Sequence, residues 1–181
     1  MKRIEEKLLL YKIITKRDSE SYGILYDQYI EKIYRFVFFK VRSKEDAEDV
    51  TSDVFLKAWH YLTEKSPSTV ESISGLLFSI ARNAIIDHYR EKAKKPMVSL
   101  EVVEDLLADQ KDIDSLDQKA DIEKMIGLIK KMKHDYQEVL ILKYVEDLKL
   151  SEISKILGKN SINTRVLLHR AVKKLKELSA K

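Results

Sequence analysis

The 181-residue chain contains no cysteine, two prolines and four glycines, and each shortage closes off a class of protein. Without thiols there is neither a disulfide framework nor a thiolate metal centre, and a reducing cytoplasm is the expected compartment. So little glycine and proline leaves few tight hairpin turns, so an almost entirely helical chain is expected. No apolar run approaches the ~20 residues that a membrane-spanning helix needs. The opening MKRIEEKLLLYKIITKRD is interrupted by Glu5, Glu6, Lys7 and Lys12, which is not the pattern of a signal peptide.

Catalytic signatures are also missing. His60, His88, His134 and His169 stand apart, with no Glu-x-x-His pair, HExxH motif, glycine-rich phosphate loop or nucleophile elbow. The acidic cluster EDAED, Glu45–Asp49, admits a reading as metal ligands, but helix capping plus a docking surface explains it more simply. No catalytic residue, metal or cofactor is expected, and the protein is not expected to be an enzyme.

What is present is charge and helical periodicity. Thirty-four Lys and Arg against thirty Asp and Glu give a net charge of +4 and a pI near 9.0, a modest excess whose distribution matters more than its size. Apolar residues at helical spacing recur in eight blocks. The first covers about Ile4 to Thr15 and the second, rich in aromatics, about Ser21 to Val41. Ser43-Lys44-Glu45-Asp46 forms a capping box that starts a third helix running to about Leu62. Thr63 to Ser74, rich in Ser and Thr around Pro67, reads as a loop. The fourth helix spans about Gly75 to Lys94 and ends in the basic run REKAKK before Pro96.

Between Ser99 and Asp117, seven carboxylates face the single Lys111, which reads as an acidic tether between two small domains. A fifth helix is expected over about Leu116 to Lys131, then three more joined by short turns. Asp135 with Glu138 would start the first of these, and Gly158 would cap the end of the second. The expectation is an all-α chain with one four-helix domain over 1–95, a linker over 96–117 and a helix-turn-helix domain over 118–181.

The last two helices carry the strongest functional signal. In the last one, Leu168, Ala171, Val172, Leu175 and Leu178 form a core stripe, while Arg165, His169, Arg170 and Lys173 lie largely off it. From Lys155 onward, eight Lys and Arg oppose only Glu177. A helix fits the major groove with its first residues at base edges and its cations at phosphates. That geometry makes Lys159, Asn160, Ser161, Asn163, Thr164, Arg165, Val166, His169, Arg170 and Lys173 candidates for contact with duplex DNA. A charge run is also what the solvated face of an ordinary bundle helix carries; the one-sided sign favours nucleic acid. In the N-terminal half, all five Phe and Trp59 fall between Phe36 and Phe78. Aromatics stack on unpaired bases or fill a core, and core is the default for each. The segment ARNAIIDHYREKAKK offers Arg82, Asn83, Asp87, His88 and Arg90 as a second DNA-facing set.

EDAEDVTSDVFLKAWHYL (Glu45–Leu62), GLLFSIARNAIIDHYREKAKK (Gly75–Lys95) and YQEVLILKYVEDLKLSEISKILGKNSINTRVLLHRAVKKL (Tyr136–Leu175) resemble regions 2 and 4 of the sigma-70 family, in its extracytoplasmic-function group. The resemblance implies a transcription initiation factor that binds core RNA polymerase, recognises a promoter and promotes strand opening without hydrolysing nucleotide. It implies that Asp46, Asp49 and Asp53 dock on the polymerase, and that Arg82, Asn83, Asp87, His88 and Arg90 meet the downstream promoter element. It also implies that the loop Thr63–Ser74 holds an everted base of the non-template strand, and that the last helix reads the upstream element. Core polymerase and promoter DNA are then the partners, with an anti-sigma factor as a third candidate, and the free protein is expected to be monomeric. A stand-alone helix-turn-helix regulator is the rival reading.

The resemblance has one local departure. Family members often read GTVKSRLHRA where this chain has INTRVLLHRA, Ile162 to Ala171. Ile162 replaces a common Gly, Val166 a small polar residue and Leu167 an Arg, while Lys159 occupies a usually apolar place. Losing a cation at Leu167 weakens phosphate binding, whereas Val166 can touch a thymine methyl.

Overall fold

The computed structural model describes residues 3–41, 43–64, 70, 72–93, 125 and 127–180. Among these residues there are helices and no strand. The helices are α1 (Arg3–Lys16), α2 (Ser19–Phe38), α3 (Lys44–Glu64), α4 (Ile73–Ala93), α5 (His134–Leu140), α6 (Leu150–Leu157) and α7 (Ser161–Ser179), and α5 runs on as one π-helical stretch, Ile141–Val145. Residues 127–130 are also helical, within the expected fifth helix, the rest of which lies largely outside the described residues. The chain divides into two compact units, Met1–Leu100 and Glu101–Lys181. Residues 96–117, read as a tether, lie outside the described residues.

In the first unit α3 packs on both α2 and α4, and α1 leans on α2 and α3. Leu25, Ile33, Phe36 and Val37 of α2 meet Val54, Phe55, Ala58 and Leu62 of α3 and Ile73, Leu77, Phe78 and Ala81 of α4 in a core closed to water. Phe36 and Phe78 meet edge to face at 5.2 Å between ring centroids, a geometry that adds to the burial of both rings. Phe55 is buried beside Tyr26, so Phe36, Phe55 and Phe78 are core. Tyr22 stands edge-on to Trp59 and donates its hydroxyl proton to the Phe55 carbonyl. Burial pushes the Tyr22 phenol far above its ordinary value, so it stays a donor.

The starts of α3 and α4 follow side-chain oxygens. Ser43 Oγ accepts the Asp46 N–H at 3.1 Å and starts α3 as expected. Ser72 Oγ accepts the Gly75 N–H at 3.2 Å, and Glu6 of α1 accepts the Ile73 N–H at 3.3 Å. The fourth helix therefore begins at Ile73, two residues before the expected Gly75. Thr63 and Glu64, assigned to the loop, extend α3, with the Thr63 hydroxyl returned to the Trp59 carbonyl at 3.0 Å. Residues 65–69 and 71 of that loop lie outside the described residues.

In the second unit α5 and its π-helical continuation bury Val139, Leu140, Ile141 and Leu142. Against them lie Ile153, Ile156 and Leu157 of α6 and Ala171 of α7. The expected start of α5 at Asp135 is corrected: the N-cap is Lys133, with no side-chain cap. Gln137 performs the fastening instead, its Nε2 donating to the carbonyls of Met132 at 2.9 Å and Lys130 at 3.0 Å.

Candidate nucleic-acid interface

The helix-turn-helix is built by α6, the turn at 158–160 and α7. The Glu152 carboxylate accepts the Lys149 N–H at 3.1 Å and holds the start of α6. Gly158, at φ 62°, ends it in the left-handed conformation that side chains with a Cβ disfavour. Its N–H reaches the Lys155 carbonyl at 3.2 Å and the Lys159 N–H reaches that of Ser154 at 3.0 Å, the paired bonds of a Schellman motif. Two residues later Asn160 caps α7, its Oδ1 accepting the Asn163 N–H at 2.8 Å. The turn is thus fixed at both ends by backbone chemistry.

Thr164 lies inside this junction. It is 0% exposed, donates its hydroxyl proton to the Asn160 carbonyl at 3.0 Å, and sits 3.0 Å from the Ser154 hydroxyl of α6. The Ser154 hydroxyl also faces the Leu150 carbonyl at 2.7 Å. Thr164 therefore joins α6 to α7 and does not face outward with the other candidates. The remaining candidates on the turn and on α7, Lys159, Asn160, Ser161, Asn163, Arg165, Val166, His169, Arg170 and Lys173, are exposed. Asn160 is committed to its cap, and Lys159 Nζ stands 3.7 Å from Asp135 Oδ2, tying the turn to the start of α5.

Arg165, His169 and Lys173 repeat at four-residue intervals and Lys176 follows, so one line of exposed basic-type side chains runs along α7 opposite Ala171. Ile162 lies on that outward face too, with Val166 one turn on, and both are exposed. Val166 was a sequence candidate; Ile162 was not, although its apolar side chain is out of phase with the core stripe of α7.

On α4 the second candidate set separates. Asn83, Asp87 and Arg90 are exposed and share the face away from the core, with Arg90 Nη1 3.4 Å from Asp87 Oδ1. Arg82 is half-buried. His88 points elsewhere: its Nε2 is 3.6 Å from Asp46 Oδ2 of α3. Lys92, in the basic run but in neither candidate set, also pairs with Asp46. Burial works to raise the Asp46 carboxyl; hydrogen bonds from Lys92 and Ser43 and the charges of His88 and Lys92 outweigh it and hold the group below its ordinary value. Only 16% of its side chain is exposed.

The three acids assigned to one docking surface therefore differ. Asp46 is absorbed by an internal cluster that fastens the end of α4 to the start of α3. Asp49 is exposed, and Asp53 is half-buried and paired with Lys57 at 2.7 Å. Among the described residues, no group of three or more His, Asp or Glu side chains is placed to hold a metal, and no helix is long and apolar enough to cross a membrane.

Comparison with known proteins follows the same two units. Residues 25–95 match the family described as Sigma-70 region 2, and residues 122–175 the family described as Sigma-70, region 4. The chain is 30% identical to the RNA polymerase sigma factor YlaC of Bacillus subtilis, over 89% of this chain and 93% of that protein. It is 29% identical to the ECF RNA polymerase sigma factor SigM of the same organism, over 85% of this chain and 92% of that one. With the ECF RNA polymerase sigma factor BldN of Streptomyces coelicolor the identity is 28%, over 89% of this chain but only 61% of BldN's length. Among solved structures, CnrH in complex with the cytosolic domain of CnrY superposes with a TM-score of 0.72 at 18% identity, covering 97% of both chains. The sigma factor RpoE of Bartonella quintana, in complex with the anti-sigma factor NepR, gives 0.71 at 18% identity, covering 89% of this chain and 98% of that one. At such identity the two structures speak to the fold.

Proposed function

The chain belongs to the sigma-70 family, in its extracytoplasmic-function group, and from that premise we propose that it binds core RNA polymerase, directs it to promoters and assists strand opening. The observation that carries this reading is the presence of both matches, in order, in one chain. A stand-alone regulator accounts for the helix-turn-helix but not for the first unit.

Roles follow the exposed residues. The line Arg165, His169 and Lys173, with Ser161, Asn163, Val166 and Arg170 beside it, is assigned to the upstream promoter element. Arg165 stands near the N-terminal end of α7, where a recognition helix meets base edges. Asn83, Asp87 and Arg90 on the outer face of α4, flanked by Arg82, are assigned to the downstream element. His88 is assigned to positioning the end of α4 through Asp46, and of the three acids Asp49 and Asp53 are left to meet the polymerase. Domain bounds of 1–95 and 118–181 with an acidic linker over 96–117 fit these roles. The protein acts in the cytoplasm without catalysis of its own, and an anti-sigma factor is a candidate regulator.

Binding of duplex promoter DNA with and without core enzyme tests the assignment. A sigma factor discriminates promoter from non-promoter duplex well only when core enzyme is present. Tight, sequence-specific binding by the protein alone, unchanged by core enzyme, supports the stand-alone regulator instead.

A further inference from the structure

Ile162 is 73% exposed and Val166 is 42% exposed, one helical turn apart at the leading end of α7. Neither belongs to the core: that face of the helix is made by Thr164, Leu168, Ala171 and Leu175, and Ile162 is turned about 180° from Ala171. Both side chains are β-branched, and their exposure gives the free unit nothing in packing or helix propensity. The pair is flanked by cations, with Arg165 between the two in sequence and Arg170 and Lys173 following. An apolar pair rimmed by positive charge suits a surface that is anionic around its edge and carries methyl groups at its centre. Duplex DNA offers that combination where thymines line the major groove, since the C5 methyl is the one apolar group a base edge presents there.

We infer that Ile162 and Val166 form an apolar reader of thymine methyls, a specificity determinant that makes this chain favour T-containing steps in the upstream element. The inference rests on the proposed sigma function, because it requires α7 to lie in the major groove. The two branched side chains are spaced by one turn, so they address neighbouring base pairs while Arg165 and Lys173 hold position. Each methyl removed from water against an apolar side chain contributes about fourfold in binding, corresponding to ~0.8 kcal/mol per buried methyl-sized group.

The test uses the full chain reconstituted with bacterial core RNA polymerase and a promoter library randomised over the upstream element. The expected selection is thymine, on either strand, at two neighbouring positions. Replacing those thymines with deoxyuridine, which removes only the methyl, lowers initiation by about fourfold per site for the natural chain. The doubly substituted Ile162→Ala, Val166→Ala protein is insensitive to that replacement. Both positions are exposed and Ala is the better helix former, so its thermal unfolding midpoint is no lower than that of the natural chain.

Indifference of the natural chain to deoxyuridine, with initiation otherwise specific, overturns the inference and leaves the sigma reading intact. A double variant that binds core enzyme less well with unchanged promoter selection also overturns it, and assigns the pair to a protein contact. Failure of the natural chain to bind core enzyme at all removes the sigma reading and the inference together.

Discussion

Thr164 and Asp46 each carry a side chain suited to one role in a position that gives it another. On a recognition helix a threonine is a fair candidate for a base edge, yet the phase of α7 sets this one against Ser154. A signal for that was present in the resemblance itself, since the aligned family residue is an apolar Val. Every partner of the Thr164 hydroxyl has a second bond: the Asn160 carbonyl also takes the Thr164 N–H, and Ser154 also faces the Leu150 carbonyl. Thr164→Val is therefore expected to change stability by less than about 1 kcal/mol. It should leave promoter selection unaltered, and a shifted base preference would show that Thr164 is read directly. Asp46 was legible as a helix-capping acid, but not as the partner of Lys92 and His88, because those residues lie more than forty positions away in sequence. Its depressed pKa means that it contributes stability above the ordinary aspartate range, and that this contribution is lost as pH falls through the lower folded value.

Elements were readable where periodicity and caps coincide. The aromatic α2, the Ser43 start of α3, the Gly158 stop of α6 and the core stripe of α7 follow from local chemistry. Boundaries failed where a distant or main-chain group intervened: Glu6 reaching Ile73 across the first unit, Ser72 capping earlier than the run of serines suggested, and Gln137 fastening the turn before α5. The π-helical stretch Ile141–Val145 was not legible, because Ile141 and Val145 keep the four-residue spacing of an α-helical face, yet Ile141 is buried and Val145 is exposed. Gly158 gives the sharpest test at this scale. A Cβ there meets nothing within 4 Å, so the strain of φ 62° is the only cost of Gly158→Ala. That substitution should destabilise the second unit by about 1–2 kcal/mol, read as a lower unfolding midpoint, with the first unit unaffected. An unchanged midpoint would mean that the turn relaxes away from the left-handed conformation.

For the molecule as a whole, the chain binds two tasks into one polypeptide: a helical unit matched to sigma region 2 and a helix-turn-helix unit matched to region 4. The second task was legible from charge asymmetry and turn chemistry alone. The first was not, since aromatic-rich helices with an acidic start are compatible with many roles, and only the resemblance distinguished among them. Asp49 and Asp53 now carry the docking assignment between them. Replacing both with Lys is expected to weaken core-enzyme affinity by at least about tenfold, the scale of interface charge reversal. The same change in Asp46 would be uninformative, because it also breaks the fastening of α4 to α3. Mixing the purified chain with bacterial core RNA polymerase and following co-purification, then initiation from a promoter template, decides whether the chain acts as a sigma factor. A stoichiometric complex that starts transcription at a defined site, where core enzyme alone does not, is the predicted result. Failure to associate with core enzyme, together with specific duplex binding by the free chain, would contradict it.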